Sequence, residues 1–352
     1  MHQGKPDPVL LNVAINTANH ICDTFGSGKR KQLTWHQELE IALPKLAKLC
    51  QEIGEPYDSR AKEYIDKSAF FLDVRGDYSN RTVDDADDMR AYVQDHSKVE
   101  NQMEPVGHAV RAQYMYTGMC ELAAIDSSYY QKYDKALTSL WDSLTHKKQY
   151  INGGLGDSSN ENEGFADEYY LPNYSSYCET CAGVANMLWN RGMSTIYDGS
   201  QYADQIETDL YNNILGCVNF DGNAFYYENR LATVDAFQRK EWYGTACCPP
   251  NFMRTILQVG GYIYNTTSND VFINQYISNT GNFEIGSNKV NINMKSSFPY
   301  QGNGTIIVKP AEAATFGVQL RKPSWTDTYT IKVNGAVANT TEKDGYIVIN
   351  QD

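Results

Sequence analysis

The sequence predicts a mainly helical protein with a C-terminal β part, and three observations lead there. Between Val9 and about Tyr264, apolar residues recur every three or four positions, the period of helices with one buried face, and strand-like alternation is rare. Gly- and Pro-marked breaks separate these stretches at roughly helical-hairpin spacing. After about Asn269 the period becomes two, with Gly and Asn turns between short alternating runs. At 352 residues, 41% of them hydrophobic, the chain is long enough for a large core or two packed bodies.

Taken in order, the helical pattern predicts segments over 8–25, 36–53, 57–73, 104–124, 128–146, 176–192, 199–216 and 250–263. Such a run suits a bundle, a solenoid or an α/α toroid, and no fixed-period repeat selects the solenoid. A Gly-, Asn- and Asp-rich stretch at 151–175 interrupts the helices, and long loops of this kind often carry function. In the C-terminal part, Val290–Met294, Thr305–Val308, Thr330–Val333 and Tyr346–Ile349 alternate as strands of a β-sandwich. The last of them runs almost to Asp352, so the sandwich is expected to be incomplete. The expected division is a helical domain over 1–266 and a β domain over 267–352.

Acidic residues outnumber basic ones, 43 to 30, and the formal charge of −13 repels a phosphate backbone, which argues against nucleic acid as a partner. No stretch approaches the roughly 18 apolar residues of a membrane span, and the opening residues lead into an amphipathic segment rather than a signal core. Aromatic residues make up 12% of the chain, which suits sugar-holding clefts, although most aromatic side chains fill cores.

Of eight cysteines, Cys22, Cys50, Cys120 and Cys217 stand singly in apolar helical segments and read as small buried hydrophobes. The others form two motifs. Cys178-Glu179-Thr180-Cys181 opens a helix, and Glu179 and Cys181 could meet at one ion only if the backbone there is not yet regular. Cys247-Cys248-Pro249-Pro250 opens another helix, whose N-terminus would stabilise a thiolate. Three thiolates and a carboxylate fit a Zn²⁺ shell. A Cys178–Cys181 redox pair, a disulfide between the adjacent cysteines and plain buried thiols remain open beside it.

Glu163 lies in the long loop, free to face a cleft, and a glycosidase needs a carboxylic acid to protonate the leaving oxygen opposite a nucleophile or base. The acidic run Asp84–Asp88 lacks the Gly and terminal Glu of a calcium loop and reads as a solvated turn. His36 and His108 stand near the starts of amphipathic helices, where each serves either as a structural hydrogen-bonding group or as a ligand contact. Neither a phosphate-binding Gly loop nor a Gly-x-Ser-x-Gly elbow is present.

Six ordered motifs together resemble the non-reducing-end β-L-arabinofuranosidases, family 127 of the glycoside hydrolases. They are Gln94-Asp-His through Ala112, Gly153-Gly-Leu-Gly156, Glu163 through Asn173, Tyr177-Cys-Glu-Thr-Cys-Ala182, Leu210-Tyr-Asn-Asn213 and Cys247-Cys-Pro-Pro-Asn251. The resemblance implies a partial (α/α)6 barrel followed by a β-sandwich, in a chain lacking the N-terminal part of the barrel and the C-terminal end. It implies Zn²⁺ held by Glu179, Cys181, Cys247 and Cys248, with Cys247 as nucleophile and Glu163 as acid/base in a retaining hydrolysis. His36, His108, Glu207 and Tyr227 would contact the sugar, on weaker local matches. The expected partner is a carbohydrate, and a homodimer is left open. The same chemistry on another sugar, or a zinc-stabilised carbohydrate-binding protein without catalysis, are the competing readings.

Overall fold

The computed structural model describes residues 6–79, 81–82, 87–159, 163–234 and 236–349. The class expected from the sequence is the one found, helices first and sheets after. Eight α-helices are present among the described residues: α1 (Pro8–Thr24), α2 (Leu39–Ile53), α3 (Ala61–Val74), α4 (Ala109–Ala123), α5 (Ser127–Ser143), α6 (Thr180–Ile196), α7 (Gln201–Thr208) and α8 (Cys248–Gln258). Local chemistry sets their starts. Asp7 accepts from the Val9 and Leu10 amides ahead of Pro8, and Asp126 accepts from the Ser128 amide ahead of α5. Contacts divide the chain into two compact units, Gly4–Ile196 with Thr208–Phe252, and Tyr197–Glu207 with Met253–Asp352.

In the first unit α1, α2 and α3 share a core that includes Cys22, Ala47, Cys50, Tyr64 and Phe71. Each large apolar side chain buried there contributes about 1.5–3 kcal/mol. A second core forms where α4 meets α6. The Tyr116 and Trp189 rings lie 4.8 Å apart, Gln113 Nε2 donates to the Ala182 carbonyl at 3.2 Å, and Gly192 gives room to Cys120. Cys22, Cys50, Cys120 and Cys217 are all buried, and all eight cysteines are free, so neither a disulfide framework nor a bond between Cys247 and Cys248 is formed.

The helix expected over 104–124 begins only at Ala109. Gly107 has φ +72°, and a Cβ there would meet the Ala91 carbonyl oxygen at 2.0 Å, so the chain makes a close turn before the helix can start. The segment expected over 199–216 is α7 followed by one π turn over Asp209–Ile214.

The second unit holds a five-stranded and a three-stranded sheet. In the first, β1 (Tyr264–Thr266), β2 (Asp270–Ile273), β6 (Gly317–Arg321), β10 (Tyr346–Ile349) and β9 (Thr340–Lys343) lie side by side, with β2 and β6 parallel and the other pairs antiparallel. The second is the meander β3 (Asn279–Ile285), β4 (Asn288–Ser296) and β5 (Gly304–Pro310). Val290, Ile292 and Met294 alternate to one face of β4 and are buried. They share two clusters with Val271, Ile273, Leu320 and Ile347 of the other sheet, which makes the pair a sandwich. The strand expected over Thr330–Val333 shrinks to β7 (Lys332–Val333), because Asn334 and Gly335, both at positive φ, turn the chain at once into β8 (Ala336–Val337).

Candidate active site

The entries of α6 and α8 build the centre of the site. Glu179 stands just ahead of α6, where its carbonyl accepts from the Ala182 and Gly183 amides at 3.0 and 3.2 Å and its backbone bridges to Glu228. Because this entry is extended and not helical, Glu179 and Cys181 reach the same place although they are two residues apart. Cys247 holds the matching position ahead of α8, its carbonyl accepting from the Asn251 amide at 3.1 Å. One donor atom from each of Glu179, Cys181, Cys247 and Cys248 falls within a 4.8 Å cluster.

Within it, Cys181 Sγ is 3.3 Å from Cys248 Sγ, and Cys247 Sγ is 3.8 Å from Cys248 Sγ. Glu179 Oε1 lies 3.7 and 3.6 Å from the sulfurs of Cys247 and Cys248. Glu179, Cys181 and Cys248 are 2%, 1% and 0% exposed, whereas Cys247 is part-exposed, so a substrate can reach only one of the three sulfurs. Burial pushes the Glu179 carboxyl well above its ordinary value, and the neighbouring Cys247 and Glu163 charges push it the same way. Hydrogen bonding from Cys181 and then Cys248 holds Cys247 far below a free thiol.

The cluster could hold a metal ion, and one further observation fits that use. Among the described residues Glu179 Oε2 is buried without a hydrogen-bond partner, an expensive position for a carboxylate oxygen unless a cation sits beside it.

Glu163 faces this cluster from the long loop. It has φ +59°, a strained conformation for a residue with a side chain, and the surrounding loop is stitched to the start of α4. The Ala109 amide donates to the Glu163 carbonyl at 2.9 Å, and the Phe165 amide donates to the Gly107 carbonyl at 2.9 Å. Its carboxylate receives Tyr177 Oη and Tyr227 Oη on Oε1, each at 3.1 Å, and His108 Nε2 at 3.1 Å and Tyr92 Oη at 3.4 Å on Oε2. His108 also caps α4: its Nδ1 accepts from the Val110 amide at 3.2 Å, which leaves the proton of the neutral ring on Nε2, toward Glu163. The His108 bond, supported by those of Tyr227 and Tyr177, outweighs burial and holds Glu163 below the usual carboxylate range.

Tyr227 joins the two halves. Tyr227 Oη lies 3.0 Å from Cys247 Sγ and donates to Glu163 Oε1. His36 is near but more open, its ring centroid 5.9 Å from that of His108. Partial burial, with Arg111 and His108 nearby, brings its pKa down to about 4, so it is neutral at pH 7.

The structure therefore brings together Glu163, Glu179, Cys181, Cys247, Cys248, His36, His108 and Tyr227. Glu207 has other partners. It belongs to the other compact unit, where Arg321 pairs with its carboxylate and Trp325 Nε1 donates to it at 2.6 Å. Within that unit a buried guanidinium takes the Glu207 carboxylate, and the sugar contact expected for it stays an expectation. Within the acidic run Asp84–Asp88, residues 84–86 lie outside the described residues. Sequence reasoning assigned no role to Tyr92 and Tyr177, which both hold Glu163. Tyr177 opens a quoted motif and Tyr92 stands two residues before another, but nothing local separates them from the other tyrosines, 26 in all.

Residues 1–261 match the family described as the β-L-arabinofuranosidase GH127 catalytic domain, and residues 270–352 match the GH127 middle domain. A curated relative, the non-reducing end β-L-arabinofuranosidase of Bifidobacterium longum subsp. longum, is 31% identical over 99% of this chain and 56% of its own length. A solved GH127 β-arabinofuranosidase is 34% identical with a TM-score of 0.85, covering 99% of this chain and 55% of its own. A GH127 β-L-arabinofuranosidase from Geobacillus stearothermophilus T6 is 32% identical with a TM-score of 0.87, covering 97% of this chain and 56% of its own. The chain thus spans about half the length of the relatives it matches.

Proposed function

Since the chain belongs to the β-L-arabinofuranosidase family, family 127 of the glycoside hydrolases, we propose that it serves a retaining hydrolase releasing non-reducing-end β-L-arabinofuranose from plant-type glycans or glycoproteins. The observation that carries this reading is the pairing of Cys247 and Glu163 through one tyrosine hydroxyl, beside a buried metal-competent cluster. Glu179, Cys181, Cys247 and Cys248 would hold zinc, which soft thiolates favour over harder cations. Zinc bound there supplies positive charge that keeps thiolate available at neutral pH and makes sulfur a better leaving group.

In the first step Cys247 Sγ attacks the anomeric carbon, the glycosidic C–O bond breaks, and its electron pair goes to the leaving oxygen, which takes a proton from Glu163. In the second, water attacks that carbon, the Glu163 carboxylate accepts its proton, and the C–S electron pair returns to Cys247. The free site, with its donors around Glu163, is set for the second step. The acid role requires Glu163 to take up a proton, which a sugar favours by displacing tyrosine donors and excluding water. Of the proposed sugar contacts, His36 has the more open ring, while His108 Nε2 and Tyr227 Oη already hold Glu163.

A zinc-stabilised binding protein would have no use for a strained glutamate held by three tyrosines and a histidine. The test is turnover of aryl β-L-arabinofuranosides. Cys247→Ala should abolish it, and Glu163→Ala should slow substrates with poor leaving groups most. Undiminished turnover in Cys247→Ala would refute the thiolate mechanism, and failure of the parent chain on these sugars alone would point to another glycoside.

A further inference from the structure

The three clustered sulfurs have unequal surroundings. Cys247 lies against the Tyr227 hydroxyl. Cys248 is surrounded by two sulfurs, Glu179 Oε1 and, at 3.9 Å, the carbonyl of Tyr227, which is an acceptor. Cys181 receives an amide: Asn251 Nδ2 lies 3.0 Å from its sulfur. The same Nδ2 lies 3.5 Å from Tyr114 Oη on α4. Asn251 sits in the first turn of α8, four residues after Cys247 and three after Cys248, so all three share one face of that turn. Its side chain crosses from there to a sulfur carried by α6.

Three thiolates and a carboxylate around a dication leave excess negative charge, and an N–H aimed at one sulfur takes up part of it. Such a donor also fixes the orientation of the ligand it touches. Cys181 is 1% exposed and cannot meet a substrate, whereas Cys247 is part-exposed and, in the reading above, must bond to carbon and return. Resting on that reading, we propose that Asn251 is a positioning residue of the metal site, its amide holding Cys181 as the permanent, charge-tempered ligand while Cys247 remains the exchangeable one.

The test compares the purified parent chain with Asn251→Ala and the nearly isosteric Asn251→Asp. Zinc affinity is measured by chelator competition, sulfur-to-metal charge-transfer absorption is recorded after cobalt(II) substitution, and melting is followed with and without metal. Asn251→Ala should weaken zinc binding about 10- to 100-fold and shift the cobalt band, with little change in the metal-free melting temperature. Asn251→Asp should weaken it further, because a carboxylate then faces a thiolate. Affinity within about threefold of the parent and an unmoved cobalt band in both variants would overturn the inference while leaving the metal reading intact. Equal losses of melting temperature with and without metal would also overturn it, since Asn251 would then only tie helices together. A parent chain that binds no zinc would remove the metal reading and this inference together.

Discussion

Tyr227→Phe is the substitution that interrogates the site most directly. It deletes one oxygen and keeps the ring, whose packing against Tyr243 and Tyr177 at centroid distances of 5.5 and 6.2 Å is undisturbed. The lost hydroxyl lies 3.0 Å from Cys247 Sγ and 3.1 Å from Glu163 Oε1, the two groups that would exchange bonds with the sugar. It has a single proton, so when both neighbours are anionic it serves only one of them at a time. A hydrogen bond to a charged group is worth about 1.5–3 kcal/mol, which corresponds to a loss of roughly 10- to 150-fold in kcat/KM. The substitution also removes a donor that holds Glu163 below its ordinary pKa, so that pKa must rise. In the proposed mechanism the first step needs protonated Glu163, and the alkaline limb of the kcat/KM profile should therefore move to higher pH. A stopped assay on an aryl β-L-arabinofuranoside across pH reads both quantities. Unchanged kcat/KM with an unmoved alkaline limb would show that Tyr227 links the two groups in space but not in chemistry.

Two stability predictions follow from groups away from the sulfurs. Arg321 is fully buried and pairs with both Asp204 and Glu207, so Arg321→Met leaves two carboxylates without their cation and should cost on the order of 3–5 kcal/mol. Adding Asp204→Asn and Glu207→Gln should restore much of the loss in denaturant unfolding, and a single variant within about 1 kcal/mol of the parent would contradict the argument. Burial pushes the Asp209 carboxyl well above its ordinary value, with Asn186 Nδ2 donating to it at 2.9 Å. The folded state then keeps a proton that the unfolded state releases, so this group's contribution to stability falls as pH rises from about 4 toward the raised value. Asp209→Asn should gain on the parent over that range in thermal melts, and parallel curves would refute the assignment.

The helices and the β part were legible because burial imposes a period on sequence, and the period changes from three or four to two near residue 264. Helix starts were read less well where tertiary contact overrides local preference, as at Gly107, which must turn under Ala91 before α4 can begin. The cysteine motifs were legible for a different reason: adjacent thiols ahead of a proline-marked helix start are rare, and the spacing of Glu179 and Cys181 demanded the extended entry that is found. Glu207 shows where such reading ends. A carboxylate on an amphipathic helix carries no local sign of its partners, and here Arg321, 114 residues away, pairs with it.

Tyr92 and Tyr177 were illegible for the same reason, and with Tyr227 they bear on why the site takes its observed form. In the proposed mechanism Glu163 is base in one step and acid in the other, and a permanent cation beside it would fix it as an anion. Three phenols and an imidazole N–H instead stabilise its charge through hydrogen bonds that a sugar hydroxyl can replace one for one. The cost is that the donors come from distant stretches of chain, Tyr92, His108, Tyr177 and Tyr227, and only the fold gathers them. Glu163 itself has to take a left-handed backbone to reach them, and that strain is sustained by the amide bonds stitching its loop to α4. In the same proposal the bond to carbon forms and breaks at Cys247, the part-exposed sulfur of the cluster.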